Sequence, residues 1–324
     1  MNCGLFLSGK PRAFRAGELH IDKKRGSMPR FSKRVERKER EDMIHEEGFF
    51  KGVRSARTYY QCWLPEGEAR ATLVVVHGLA EHGGRYMSLV NCFAPLGYAV
   101  YAIDHFGHGK SEGPRTYVEQ FEDYTHTLRI FTTMVAQWQP DKPVILVGHS
   151  MGGLIGAVYL IEGQHPFTGA VLSAPLVKMH GKVSPILVLL VKTLSSLMPR
   201  FRLVGLDAES VSRDPDIVRA YAEDPLVYGG KTTARLAAEL SKTIGRVAAE
   251  AGKITLPLLI VQGGADRLVD PDGSRMLYDR ASSIDKTLKI YDGLYHEVFN
   301  EPERDVVLGD VKSWVEARLG GRQG

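Results

Sequence analysis

The chain has 324 residues, 44% of them apolar and 25% charged, which is the balance of an ordinary soluble globular protein with a sizeable core. No run approaches the 18 or so uninterrupted apolar residues of a membrane span, so no transmembrane helix is expected. The formal net charge of +4 belongs to residues 1–42, which hold 12 Lys/Arg against 6 Asp/Glu and leave 30 against 32 elsewhere, so no nucleic-acid groove is expected in the folded part.

Residues 1–45 read as a basic N-terminal tail, disordered or a mis-assigned start with translation beginning at Met28 or Met43. An exposed helix over "RVERKERE" and a basic arm on an anionic membrane surface are the other readings. Cys3, Cys62 and Cys92 are odd in number and contain no CxxC, which favours neither a disulfide nor zinc and makes a cytoplasmic enzyme the default.

From residue 57 onward, short apolar runs alternate with helical patterns. Strands are expected at 57–64, 72–77, 98–104, 144–149, 170–174, 258–263 and 287–293, and runs such as "VVV" and "VILV" suit a parallel sheet covered on both faces. Helices are expected near 85–95, 120–138, 151–162, 272–282 and 303–318. The alternation implies a doubly wound α/β fold whose C-terminal strand ends form the ligand edge.

About 80 residues without a convincing strand separate "AVLSAP" from "LPLLIVQG", too long for a loop in a compact domain. The division is therefore a core of 46–175 and 256–320 with a helical cap at 176–255. The cap's "VSPILVLLVKTLSSLMPRF" is apolar nearly all round. It reads either as a buried cap helix or as a lid whose outer face makes peripheral contact with lipid.

Two stretches match G-x-S-x-G. "GHGKSEGP", at 107–114, also imitates the end of a P-loop, but Asp104 stands where a P-loop needs its first glycine, and Pro114 follows where a helix should begin. No strand abuts Ser111, which reads as a turn. Gly148-His149-Ser150-Met151-Gly152, by contrast, has the strand "VILVGH" running in and a helical pattern running out, the context of a nucleophile elbow.

A serine hydroxyl needs a base and an orienting carboxylate, in the chain order Ser, Asp/Glu, His for this arrangement. Asp266 and His296 each follow a strand that ends on the edge occupied by Ser150. Asp270, Asp272 and Asp292 are the alternative acids, the first two better suited to capping the next helix. His77, His82, His105, His108 and His149 crowd the same edge without ligand-like spacing, so no metal is expected. The backbone amides of Met151 and Leu79 are the candidate oxyanion donors.

"HGLAEHGGRY", "AIDHFGHGKSEG", "GHSMGG", "SRDPDIVRAYAEDPLVY", "QGGADRLV" and "DKTLKIYDGLYHEVFNE" together resemble, in order, the landmarks of monoacylglycerol lipases over residues 46–318. The resemblance implies an α/β-hydrolase fold, nucleophile Ser150, Asp266, base His296, oxyanion donors Leu79 and Met151, and no cofactor. It also implies a cap over an acyl tunnel and a polar glycerol pocket toward which Glu81 and Arg85 point; an ion pair bracing the oxyanion loop is the competing role for these two. Val269 and Glu297-Val298-Phe299 depart from some relatives, which makes ester hydrolysis firmer than glycerol preference. Lysophospholipase, broad carboxylesterase and non-catalytic lipid binding are the other functional readings.

Overall fold

Among the described residues, eight strands form one sheet in which spatial order differs from chain order. The computed structural model describes residues 43–181, 184–203 and 205–319, so the tail over residues 1–42 lies outside the described residues. The strands are β1 (Met43–Lys51), β2 (Arg57–Pro65), β3 (Ala71–Val76), β4 (Tyr98–Ile103), β5 (Val144–His149), β6 (Phe167–Ser173), β7 (Leu258–Gly263) and β8 (Lys286–Tyr291). They lie in the order β1-β2-β4-β3-β5-β6-β7-β8. The β1–β2 and β2–β4 pairs are antiparallel, and every later pair is parallel.

The helices are α1 (Met87–Phe93), α2 (Glu122–Trp138), α3 (Met151–Glu162), α4 (Pro185–Leu197), α5 (Pro215–Glu223), α6 (Ala234–Glu250), α7 (Pro271–Arg280) and α8 (Arg304–Leu319). Alternating side chains leave opposite faces of a strand, and the core divides accordingly. Val74, Val76, Leu146, Leu172 and Ile260 join one cluster with α2 and α3. Leu73, Val75, Ile145, Val147 and Val171 join a second with Leu89 and Phe93 of α1 and Val311 and Trp314 of α8. All of β3, β4 and β5 is buried, which explains their continuous apolar sequence.

One strand was not expected. Met43–Lys51 forms β1, so the last three residues assigned to the tail belong to the sheet edge. Its one-sided pairing tolerates His45, Glu46 and Glu47, and those polar residues hide the strand from a hydropathy reading.

Between β6 and β7 the described residues hold α4, α5 and α6 and no strand of the sheet. These helices differ in attachment. Leu236, Leu240 and Val247 of α6 are buried in the same cluster as α3, whereas α4 leaves Ile186, Leu187, Leu189, Leu190 and Leu197 exposed. No helix among the described residues is long and apolar enough to cross a membrane.

Candidate active site

The chain turns from β5 into α3 at Ser150, whose φ of 53° and ψ of −117° are a conformation that non-glycine residues avoid. Such backbone costs about 1–3 kcal/mol and persists only where its surroundings enforce it. Here Ser150 N–H donates to Ser173 O at 2.9 Å, and Ser150 O accepts from Leu154 N and Leu176 N, both at 3.0 Å. Close approach of strand and helix completes the enforcement: a Cβ on Gly152 would lie 1.9 Å from Val76 O, and one on Gly148 would lie 2.6 Å from Gly152 O.

His296 follows β8 and is buried, with Nδ1 2.7 Å from Asp266 Oδ2. Asp266 Oδ1 accepts from Leu268 N at 2.8 Å and Val269 N at 3.0 Å. Its Oδ2 also accepts from Gln262 Nε2 at 2.8 Å, and Ser274 Oγ in turn donates to Gln262 Oε1 at 2.8 Å. Burial pushes the Asp266 pKa up, but the neighbouring His296 and the two amides outweigh it and hold the carboxyl below its ordinary range. Burial pulls His296 down, while Asp266, Glu297 and Glu81 bring it above its ordinary value. An ionised Asp266 accepting from Nδ1–H leaves Nε2 as the basic nitrogen.

The His149 ring packs 4.7 Å from the ring of His296. Burial, then the proximity of His296, pushes its pKa down to about 4, so it stays neutral beside the site. On the facing loop, a Cβ built on Gly78 would meet Ser150 Cβ at 3.2 Å. Among the described residues, the amides of Leu79 and Met151 donate to no protein acceptor. Ala80, at φ 66°, turns the loop just past Leu79.

Glu81 and Arg85 form a buried ionic network. Glu81 Oε1 accepts from Gly78 N at 2.6 Å and from Tyr86 Oη at 2.7 Å, and Oε2 accepts from Arg85 Nη1 at 2.8 Å. Arg85 also forks onto Glu297, at 2.6 and 2.8 Å, and lies 4.6 Å from the Tyr221 ring centre. A small cleft borders Glu81, Arg85, His149 and Glu297, and Ser150 does not line it. The geometry therefore fits the bracing role directly. Glu297, which makes the network two carboxylates around one guanidinium, was read from sequence only as a departure.

The cap segment reaches this loop as well. Tyr228 N–H donates to Ala80 O at 2.8 Å, and His82 Nε2 lies 2.9 Å from Asp224 Oδ2. Ser212 Oγ and Arg213 Nε bind Glu301 at 2.7 and 2.6 Å. "SRDPDIVRAYAEDPLVY" thus anchors the cap to loops of the core. Gln262, Glu297 and Asp224 had no assigned role in the sequence reading, although each stands inside a quoted landmark.

The other candidates fall elsewhere. Asp270 caps α7, accepting from Asp272 N at 2.9 Å. Asp272 is exposed, and Asp292 lies in the turn after β8. Ser111 Oγ accepts from Tyr59 N at 2.8 Å and donates to Asp104 O at 2.6 Å, so it pins a turn.

Four similarities to known proteins bear on this geometry. The serine aminopeptidase S33 family (Hydrolase_4) matches residues 67–303. A monoacylglycerol lipase of Mycolicibacterium smegmatis is 43% identical over 272 residues, covering 83% of this chain and 96% of that one. Monoglyceride lipase of Homo sapiens is 37% identical, covering 79% and 86%. The crystal structure of Paleococcus ferrophilus monoacylglycerol lipase superposes with a TM-score of 0.71 at 31% identity, covering 85% of this chain and 99% of that one.

Proposed function

This chain belongs to the monoacylglycerol lipase family of α/β-hydrolases, and from that premise we propose that it hydrolyses monoacylglycerol-like lipid esters through an acyl-enzyme on Ser150. The observation that carries the proposal is the 2.7 Å His296–Asp266 pair on the sheet edge where Ser150 is held in strained backbone. His296 Nε2 takes the proton as Ser150 Oγ attacks the ester carbonyl. The amides of Leu79 and Met151 receive the developing oxyanion, a role worth about 10²–10³ in kcat per donor. The imidazolium passes its proton to the departing glycerol oxygen as the C–O bond breaks. Water then attacks the acyl-enzyme, gives its proton to His296, and releases the fatty acid as that proton returns to Ser150 Oγ.

Glu81 and Arg85 are proposed to shape the alcohol end of the site through the loop they hold, with Glu297 as their third member. We take residues 176–255 as the cap, with α6, buried against the core cluster, supporting its anchored part and α4, with its exposed apolar side chains, supporting its lid-like part. The exposed apolar side chains Ile186, Leu187, Leu189 and Leu190 support peripheral docking of that lid on lipid. Loss of vesicle binding on replacing Ile186 and Leu189 with Ser is the expected result, and unchanged binding contradicts it.

Turnover on monoacylglycerols, lysophosphatidylcholine and short p-nitrophenyl esters tests the substrate. The proposal expects the highest kcat/KM on monoacylglycerol. A higher value on lysophosphatidylcholine makes the chain a lysophospholipase, and preference for the short esters makes it a broad carboxylesterase. No turnover on any of the three supports a lipid-binding protein.

A further inference from the structure

The peptide that carries the Leu79 amide is gripped from behind by a histidine the mechanism does not use. His77 Nδ1 lies 2.7 Å from Gly78 O, and His105 N–H donates to His77 Nε2 at 3.0 Å. A ring nitrogen that accepts from an amide carries no proton, so the proton of this neutral imidazole sits on Nδ1 and donates to the Gly78 carbonyl. That carbonyl and the Leu79 N–H belong to one planar trans peptide and point in opposite directions. Fixing the one aims the other.

The remaining contacts agree. Gly78 N–H is held by Glu81 Oε1 at 2.6 Å, so both peptides flanking Gly78 have a side-chain partner. The same glycine stands against the Ser150 side chain, where an added Cβ would come within 3.2 Å. His77 is fully buried, with the rings of His105 and His108 at 4.3 and 5.4 Å. Burial, and then those two rings, holds its pKa well below the ordinary value, so the tautomer persists across the range in which His296 works.

We propose that His77 is a positioning residue of the oxyanion hole, acting through the Gly78 carbonyl to aim the Leu79 N–H at the alkoxide that forms on the substrate. It is fully buried and acts only through that carbonyl. The inference rests on Leu79 as an oxyanion donor. Donation to the carbonyl also polarises the peptide, which strengthens the N–H as a donor.

Two amide substitutions in the full chain separate this role from a merely structural one. In His77→Asn the side-chain nitrogen stands in for Nδ1 and keeps the donor to Gly78 O. In His77→Gln the terminal oxygen stands in for Nε2 and keeps only the acceptor for His105 N–H. We expect His77→Gln to slow acylation by p-nitrophenyl esters and inactivation by a fluorophosphonate about 10–100-fold, part of the effect of losing a donor outright, with KM little changed. His77→Asn should stay within about fivefold of wild type, by the same reasoning.

Full-speed His77→Gln, or His77→Asn as slow as His77→Gln at an equal urea midpoint, overturns the role. Rate losses that only follow the folded fraction do so too. Should neither variant fold, nitrogen-15 spectra of the wild-type imidazoles decide: a slowly exchanging proton on His77 Nδ1 supports the proposal, and an Nε2–H tautomer overturns it. Wild-type labelling that requires Ser150 tests the hydrolase reading separately, so the two can fail independently.

Discussion

Lowering the pH from 7.5 to 5 should destabilise this protein through histidines buried in neutral form. Burial, with the neighbouring His108 second, pushes His105 to about 3; burial, with Arg115 the second downward cause, pushes His108 to about 4; and burial, with His296 second, pushes His149 to about 4. In the unfolded chain each titrates near 6.5. A folded pKa below the unfolded one means the unfolded state binds protons first as the pH falls. The stabilisation is therefore complete above about pH 6.5 and declines toward the folded values.

One pH unit in that window costs about 1.4 kcal/mol per group, so at pH 5 each of the three loses about 2 kcal/mol, roughly 6 kcal/mol together. His77 adds in the same direction. His296 opposes it, because its folded pKa is raised and protonation favours the folded form. Against the 5–15 kcal/mol typical of a domain, the sum is large. Urea denaturation at the two pH values measures it, and the midpoint should fall sharply at pH 5. Equal midpoints would show that these imidazoles are solvated or protonated in the folded state, and would refute the reasoning.

Gly152→Ala should cost the upper end of the roughly 1–3 kcal/mol typical of overpacking, or more, because its Cβ would stand 1.9 Å from Val76 O, whereas Gly245→Ala in α6, with nothing within 4 Å, should gain up to about 1 kcal/mol. Thermal or urea denaturation of the pair checks both signs. Arg85→Met leaves Glu81 and Glu297 buried without their shared cation and should lose about 3–5 kcal/mol, and adding Glu297→Gln should recover part of that in the same assay. Ser111→Ala removes two buried hydrogen bonds and should cost about 1–3 kcal/mol while leaving serine-probe labelling intact.

The parts of the fold legible in the sequence were those with one-dimensional signals. β3, β4 and β5 are buried along their whole length and so read as unbroken apolar runs. The elbow was found because a strand enters Ser150 and a helix leaves it, a test that Ser111 fails despite identical motif letters. β1 escaped because Glu47 of that strand is held by partners the sequence does not place beside it, Tyr59 Oη and Lys110 Nζ at the sheet edge. The competing roles of Glu81 and Arg85 could not be separated from sequence, because Glu297 lies 212 positions from Arg85. His77 was passed over for the same reason: its partner, the His105 amide, stands 28 positions away.

The most direct test of the account is fluorophosphonate labelling and ester turnover of Ser150→Ala beside wild type and Ser111→Ala, with urea midpoints showing that all three are folded. The account predicts that Ser150→Ala abolishes both signals, while Ser111→Ala keeps them in proportion to its folded fraction. Labelling that survives in folded Ser150→Ala, or is lost in folded Ser111→Ala alone, would contradict it.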